Sequence, residues 1–398
     1  MKALMIAPQP VFSARGTPFS VYYRTQVEAS LGVVIDLLTY GEGDNFDLPG
    51  VRIVRIPYFS FLGQVPIGPS FLKLFYDVIL FGAAAILLIC NRYDFVHAHE
   101  EAVFFCPLLK PLFRFKLVYD MHSSLPQQLI NFDFTKMGGV IALFKVMEDF
   151  ALRRSDAVIT ICPDLSNYVQ KLLCGSGKHF LIENSIFDPV RLVLKNSGGQ
   201  YSEEGAEGKE YTLPESRFLV VYAGTLEAYQ GIHILIPAFA MVAAKAPDAF
   251  LVIAGGTTKQ VRRYRKMAAD CGISDMVCFT GTIPPPAAKR LIKKASLLVS
   301  PRSGGTNTPL KIYELLASGV PLLATDIHAH TQVLDDRIAF LVAPCPGAMA
   351  EGMLAALKRP QRGRKIAENA RKRYEKSYSR KAYEKKMARM LEALSCAE

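Results

Sequence analysis

The stretch GGTNTPLKIYELLASGVPLLATD, Gly304 to Asp326, decides how the whole chain is read. Asn307 and Thr308 are helix-capping residue types, Pro309 suits a first helical position because its missing N–H would be unpaired there, and Gly319 suits a left-handed stop. The pattern predicts a helix from Pro309 to Ser318 and then a buried strand, PLLAT. Ile312, Leu315 and Leu316 share one helix face at 3.6-residue spacing, leaving Lys311 and Glu314 together on another face near its start. One face packs and the other is free for a ligand. A surface ion pair three residues apart would contribute only about 0.2–0.5 kcal/mol.

Outward from this stretch, short apolar runs alternate with helical ones from end to end, the pattern of parallel sheets wrapped by helices. ALMIA (Ala3 to Ala7) reads as a first strand, and a helix begins at Thr17-Pro18 and stops at Gly32. VVIDLLT, VRIVRI, DFVHAH, KLVYDM and DAVITI supply further strands, with helices near Phe71 to Cys90, Gly139 to Arg154 and Asp164 to Leu173. The pattern restarts with FLVVYAG, AFLVIAGG, VCFTG, SLLVS and PLLAT. Between the halves, NSGGQYSEEGAEGKE (Asn196 to Glu210) has almost no apolar residue and reads as a mobile surface excursion. The expected organisation is α/β throughout: a Rossmann-like domain over 1–188, a flexible connection over 189–215, a second Rossmann-like domain over 216–376, and a terminal segment over 377–398.

Half of the 398 residues are hydrophobic, enough for more than one core. The eight cysteines are scattered with no C-x-x-C pair and no secretory leader ahead of them, so reduced thiols in a cytosolic protein are expected. The net charge of +11 is concentrated: Lys358 to Arg389 holds 14 Lys or Arg against Glu368, Glu375 and Glu384. This basic tail is open to two readings, a solvated face or one that meets an anionic surface such as phospholipid headgroups. Nucleic acid is not expected, since the chain has no zinc finger, RNA-recognition aromatic signature or leucine zipper.

VILFGAAAILLIC (Val78 to Cys90) is 13 residues long, short of the roughly 20 a membrane-spanning helix needs. It reads as a buried helix feeding the strand at Phe95. The preceding YFSFLGQVPIGPSFLKLF is apolar, aromatic and irregular. It is either an ordinary hydrophobic loop or, with Lys110, Arg114 and Lys116, a segment that touches a membrane surface, which would make the protein peripheral on the inner face.

The halves echo each other at Gly16-Thr17-Pro18 and Asn307-Thr308-Pro309, where a loop after a strand leads into a Thr-Pro helix start. Each would expose unpaired N–H groups at the positive end of a helix, a ready anion site. Good capping chemistry alone explains either one; the pair, together with Lys311, points to phosphate.

Together these segments resemble family 4 glycosyltransferases of the GT-B fold, retaining enzymes that move a sugar from a nucleotide diphosphate. The resemblance rests on the glycine loop at Gly16, YDMHSS around His122, YAGTLEAYQG (Tyr222 to Gly231), AGG (Ala254 to Gly256), FTGTI (Phe279 to Ile283) and the opening stretch. It implies two Rossmann-like domains facing across a cleft, the first on the acceptor side and the second binding the nucleotide sugar, with a terminal helix over 377–398 that crosses back to the first domain. The family's opening segment carries two glutamates eight positions apart; Glu314 matches the second, which implies a grip on the ribose hydroxyls, and Thr306 stands at the first. Thr225 and Gln230 likewise stand where an Arg and a Lys usually hold the diphosphate. Dipoles alone do not make good the loss of both cations, so Arg302 and Lys311 are expected to substitute, with Thr306, Asn307, Thr308 and Leu310 lining sugar and phosphate. Gly16, Thr17 and Gly224 complete the expected donor site, and Thr282 and Ile283 resemble the turn that reads the base. His122 is implied at the donor sugar, and the expected catalytic residues are His122, Lys311 and Glu314. His97 and His99 could line the acceptor side, with core or capping roles as the plainer reading.

The reaction implied is transfer of a hexose-type sugar from a nucleotide diphosphate sugar to a glycan or lipid-linked hydroxyl, in polysaccharide or glycolipid biosynthesis. No cofactor beyond that co-substrate is expected, and no metal, because the chain has no Asp-x-Asp triplet. A nucleotide-sugar-binding protein of impaired activity and a nucleotide-sugar epimerase of the same fold stay open. A nicotinamide-dependent dehydrogenase is disfavoured, because PQPVFSARGTPFS lacks the G-x-G-x-x-G fingerprint after the first strand.

Overall fold

A computed structural model describes residues 1–12, 16–66, 70–126, 138–184, 192–193 and 218–396. The excursion over 196–210 lies outside the described residues. The chain divides into two units: Met1–Ser185, Val190–Ser197 and Arg380–Glu398 form one, Ile186–Pro189 and Gly198–Ser379 the other.

The first unit holds β1 (Lys2–Ala7), β2 (Val34–Thr39), β3 (Asn45–Phe46), β4 (Val51–Arg55), β5 (Phe95–His99), β6 (Lys116–Met121), β7 (Ala157–Thr160), β8 (His179–Leu181) and β9 (Leu192–Val193). Seven of them form a parallel sheet in the order β4-β2-β1-β5-β6-β7-β8, and β3 pairs antiparallel with β9. Apolar runs such as KALMIA and KLVYDM suit strands covered on both faces. The helices are α1 (Gly16–Ser30), α2 (Phe71–Cys90), α3 (Cys106–Phe113), α4 (Gly138–Arg154) and α5 (Pro163–Leu173). Helices α2 to α5 share one core with the sheet, through residues such as Leu80, Leu109, Leu152 and Val169 packed with Leu4, Val96 and Leu117.

Helix α2 spans Phe71 to Cys90 as expected, but it corrects the expectation that the run from Val78 is buried. It is one 20-residue helix, opened by Ser70, whose hydroxyl accepts from the Lys73 N–H at 3.1 Å. Its mean hydropathy of 2.1 makes it long and apolar enough to cross a membrane, by length and composition only. Tyr76, Leu80, Ala84 and Leu88 are in the core, while Phe71, Val78, Ile86 and Ile89 are exposed. A helix apolar all round gives no periodic signal for which side is out.

The second unit has a six-stranded parallel sheet, β10 (Phe218–Ala223), β11 (Ala249–Ala254), β12 (Val277–Gly281), β13 (Leu297–Ser300), β14 (Leu322–Thr325) and β15 (Phe340–Val342), in the order β12-β11-β10-β13-β14-β15. Its helices are α6 (Ile232–Ala243), α7 (Thr258–Asp270), α8 (Pro285–Lys294), α9 (Lys311–Ala317), α10 (His328–Thr331), α11 (Pro346–Lys358) and α12 (Pro360–Ser377). Helix α9 starts two residues later than the capping pattern predicts. Pro309 and Leu310 form the entering turn, in which Ile312 donates to the Pro309 carbonyl at 2.9 Å.

The last helix, α13 (Arg380–Cys396), belongs with the first unit and buries Tyr383, Met387, Met390 and Leu394. Lys116 donates to its Leu394 carbonyl at 2.6 Å, and Lys386 pairs with Glu183. The basic tail is therefore two helices in two units, each with its own buried face.

Candidate functional site

In the second unit the expected donor residues gather where β10, β11 and β13 end. β10 runs into Gly224, and Gly255, after β11, sits at φ +118°. A Cβ at Gly255 would lie 2.0 Å from the Gly224 carbonyl oxygen, so two backbones cross where only a hydrogen fits. A Gly255→Ala change is expected to cost about 1–3 kcal/mol and to displace the Gly224-Thr225 turn, read as a fall in the urea midpoint with a loss of nucleotide binding. An unchanged midpoint would contradict this packing.

Beyond that turn the Lys311 ammonium donates to Gln230 Oε1 at 3.1 Å and lies 4.2 Å from the centroid of the Tyr222 ring. Gln230 in turn reaches Thr225 Oγ1 at 3.4 Å, and the Tyr222 hydroxyl donates to the Thr225 carbonyl at 2.5 Å. The cation from α9 thus stands against the two positions where the family pattern loses its cations. Burial, with the Arg302 charge adding, lowers the Lys311 pKa to about 7. No ion pair joins Lys311 to Glu314 among the described residues, so the pair does not serve as a helix brace.

Arg302 is partly buried, with its guanidinium 5.1 Å from the Tyr229 ring centroid and its Nε donating to the Gly304 carbonyl at 2.5 Å; burial lowers its pKa. Glu314 is partly buried on α9, its pKa raised by burial against the opposing charge of Lys289. The buried Thr308 hydroxyl has no hydrogen-bond partner. Thr306 is exposed and its carbonyl accepts from Gln332 at 2.6 Å; Asn307 and Leu310 are partly buried. Thr282 is exposed and donates to the Gly256 carbonyl at 3.2 Å, beside the partly buried Ile283. Sequence reading missed His330, which bridges Ser300 Oγ (3.0 Å) and the Thr325 carbonyl (2.8 Å) beneath this loop. Burial lowers its pKa to about 4, and Lys311 and Arg302 add to that.

In the first unit, His122 follows β6 and is 4% exposed. Its Nε2 lies 3.2 Å from His99 Nδ1 and 3.4 Å from Asp120 Oδ1. Behind it runs a fully buried network. Arg24, on α1, donates to Asp120 Oδ2 (2.7 Å), the Ile182 carbonyl (2.7 Å) and the Tyr383 hydroxyl of α13 (2.5 Å). His97 Nδ1 meets Glu28 Oε1 at 2.6 Å. Burial works to lower the His97 pKa, yet Glu28 and Asp120 prevail and raise it to about 9; His99 is held well below the usual range, chiefly by burial. Burial likewise opposes ionisation of Asp120, and Arg24 and His122 outweigh it. His97 and His99 are thus core groups, their pKa values pushed in opposite directions.

His97, His99 and Asp120 bring ligand-type atoms within 4.8 Å of one another. Two of the three already have close partners, Glu28 at His97 Nδ1 and Arg24 at Asp120 Oδ2. Gly16 and Thr17 open α1, but their side chains, like residues 13–15, lie outside the described residues.

The family described as glycosyl transferase 4-like domain matches residues 26–184, and that described as glycosyl transferases group 1 matches 204–373. YtcC of Bacillus subtilis (strain 168) is 30% identical over 178 residues, 42% of this chain and 43% of its own length. The phosphatidyl-myo-inositol mannosyltransferase of Mycobacterium tuberculosis is 28% identical over 140 residues, 33% of this chain and 35% of that protein. These matches span less than half of either relative. Among solved structures, sucrose-phosphate synthase from Thermosynechococcus elongatus superposes with a TM-score of 0.76 at 20% identity, over all of both chains. HepE from Anabaena in complex with UDP gives 0.71 at 15% identity, over 99% of this chain and all of that one. The chain is therefore built as a GT-B glycosyltransferase, with a glycosyl transferase 4-like domain ahead of a group 1 glycosyl transferase domain.

Proposed function

We propose that the protein is a retaining hexosyltransferase that takes its sugar from a nucleoside diphosphate sugar and passes it to a hydroxyl of a glycan or lipid-linked acceptor. The observation that carries the donor class is the Lys311 ammonium held against Gln230 and Thr225, with Arg302 over Tyr229 beside it. Two cations converge on a loop whose Thr308 hydroxyl is unpaired, an arrangement suited to a diphosphate. The UDP bound by HepE and the lipid acceptor named for the mannosyltransferase support a uridine-type donor and a lipid-linked acceptor.

In this reading the acceptor oxygen attacks the face from which the diphosphate departs. The anomeric carbon gains oxocarbenium character, the C–O bond to phosphate breaks as negative charge grows on the leaving diphosphate, the new C–O bond forms to the acceptor oxygen, and the acceptor's hydroxyl proton passes to the departing phosphate oxygen. Lys311, Arg302 and the N–H groups of the 306–310 loop meet that charge, as preorganised donors do where charge develops. Glu314 accepts from the ribose hydroxyls and His122 serves the sugar half. Lys311 supplies the charge a metal would otherwise supply, so activity is expected to survive chelation.

Radiolabelled nucleotide sugars offered with lipid-linked and glycan acceptors test the reading. Transfer of label is expected from one donor, with chelator without effect and Glu314→Gln lowering kcat/KM by about tenfold through a weakened ribose grip. Turnover of donor without acceptor, or complete loss with chelator, would contradict it.

A further inference from the structure

Helices α2, α3 and α4 lie side by side over one face of the first unit's sheet. Phe81 of α2 meets Phe105, at the entry to α3, with ring centroids 5.2 Å apart, and Phe104 meets Phe144 of α4 at 6.4 Å. Each helix buries one apolar stripe and turns a second to solvent. On α2 the outer stripe is Phe71, Phe75, Val78, Ile86 and Ile89, 47–80% exposed. On α3 it is Leu108 and Leu112, and on α4 Leu143, Val146 and Phe150, 45–74% exposed. Outer stripes recurring on three neighbouring helices go beyond the isolated apolar residues normal on a soluble surface.

The charges on the same helices are sorted. Asp77 accepts from Tyr40, Glu148 from Ser124 and the Leu125 N–H, and Asp149 from Tyr168, so each carboxylate of the three helices has a partner inside the unit. Arg114, Lys145, Arg153 and Arg154 stay exposed. An apolar face bordered by outward cations is the make-up of an element that lies in a membrane interface and attracts anionic headgroups. A second copy docking through this face would bring two sets of these cations together. A spanning role for α2 conflicts with Tyr76, Leu80, Ala84 and Leu88, which fix it to the core at 0–6% exposure.

We propose that the outer face of α2, α3 and α4 docks the protein on an anionic phospholipid bilayer, with α2 lying parallel to the surface. Docking needs neither donor nor acceptor, so it can fail while the transfer reading stands, and the reverse.

Flotation of the full chain with vesicles of phosphatidylcholine and phosphatidylglycerol, against vesicles of phosphatidylcholine alone, tests this. Binding to the anionic vesicles at low salt is expected, falling about tenfold or more at high salt or without phosphatidylglycerol. Ile86→Glu with Ile89→Glu, Val146→Glu, and Arg153→Glu with Arg154→Glu each alter exposed side chains. They should weaken binding about tenfold or more while the melting temperature and sugar transfer to a soluble acceptor stay unchanged. Lys381→Glu with Lys385→Glu on α13 should leave binding intact. The proposal is overturned by wild-type protein that stays unbound at low salt, by binding that survives the changes on α2 and α4, by binding that depends on α13 instead, or by a dimer in light scattering that Ile86→Glu dissociates.

Discussion

A Lys311→Met variant is expected to bind a nucleotide diphosphate sugar about 10- to 150-fold more weakly than the parent chain, because a hydrogen bond to a charged group contributes about 1.5–3 kcal/mol. Gln230, its hydrogen-bond partner, and Thr225 beyond it carry no charge, and Arg302 is in this reading already a contributor of its own. The same lysine sets the pH dependence. With its pKa at about 7, the ammonium is already charged below neutrality and affinity is flat there. Above that pH a proton must be taken up as the diphosphate binds, so affinity falls by about tenfold per unit until the ligand-bound lysine titrates in turn. The diphosphate diester of a nucleotide sugar has no proton of its own to lose in this range. Unliganded stability moves the other way. The unfolded lysine keeps its proton to 10.5 and the folded one releases it near 7, so between those values the unfolded chain binds more protons and the folded state gains stability as pH rises. Calorimetric titrations of the donor and thermal melts across pH 6 to 10 read the two slopes, both of which Lys311→Met should flatten. Equal affinity for parent and variant at pH 6 would remove Lys311 from the donor site.

The second large effect belongs to Arg24, which is fully buried and donates to Asp120, Tyr383 and Ile182, all in the first unit. Arg24→Met takes from the buried Asp120 carboxylate its closest cationic partner, leaving only the imidazoles of His97, His99 and His122 3.4–3.5 Å away, and removing one member of a buried pair costs about 3–5 kcal/mol. Because the chain has two units, the loss should be read locally, as faster hydrogen exchange in β1 and β6 while β10 and β11 keep their protection. Arg24→Met with Asp120→Leu should restore much of the protection, since replacing both partners by apolar groups is often near neutral. A loss no larger than the roughly 0–1 kcal/mol of an exposed pair would count against the network.

The alternation of apolar runs and helical stretches was enough to read the two sheets, and KLVYDM is β6 to the residue. Strands such as β8 and β15 are three residues long and carry too little periodic signal to be separated from loops. Helix α3 was hidden by Pro107 and Pro111; the first lies in the opening turn, where its missing N–H costs nothing. The cluster around Gln230, Tyr222 and Lys311 was legible only in part. Spacing pointed to Lys311 as free of packing, but which group it would meet depends on β10 and α9 coming together, a non-local fact. Arg24 and Glu28, four residues apart in α1, look in sequence like a surface pair. The one signal against that was the tyrosines and valines around them, which leave the helix no clearly polar side.

Helix α13 closes a unit whose first strand is made hundreds of residues earlier. A nascent chain can assemble β1 to β8 while the second unit is still being translated, but Arg24 then waits for the hydroxyl of Tyr383, and the unit lacks the buried Met387 and Met390. The first unit is therefore completed only after the second has been translated. A ribosome that stops before Arg380 would release a protein with an intact second unit and an open, sticky first one, a species that quality control could tell from the finished chain by that gap alone.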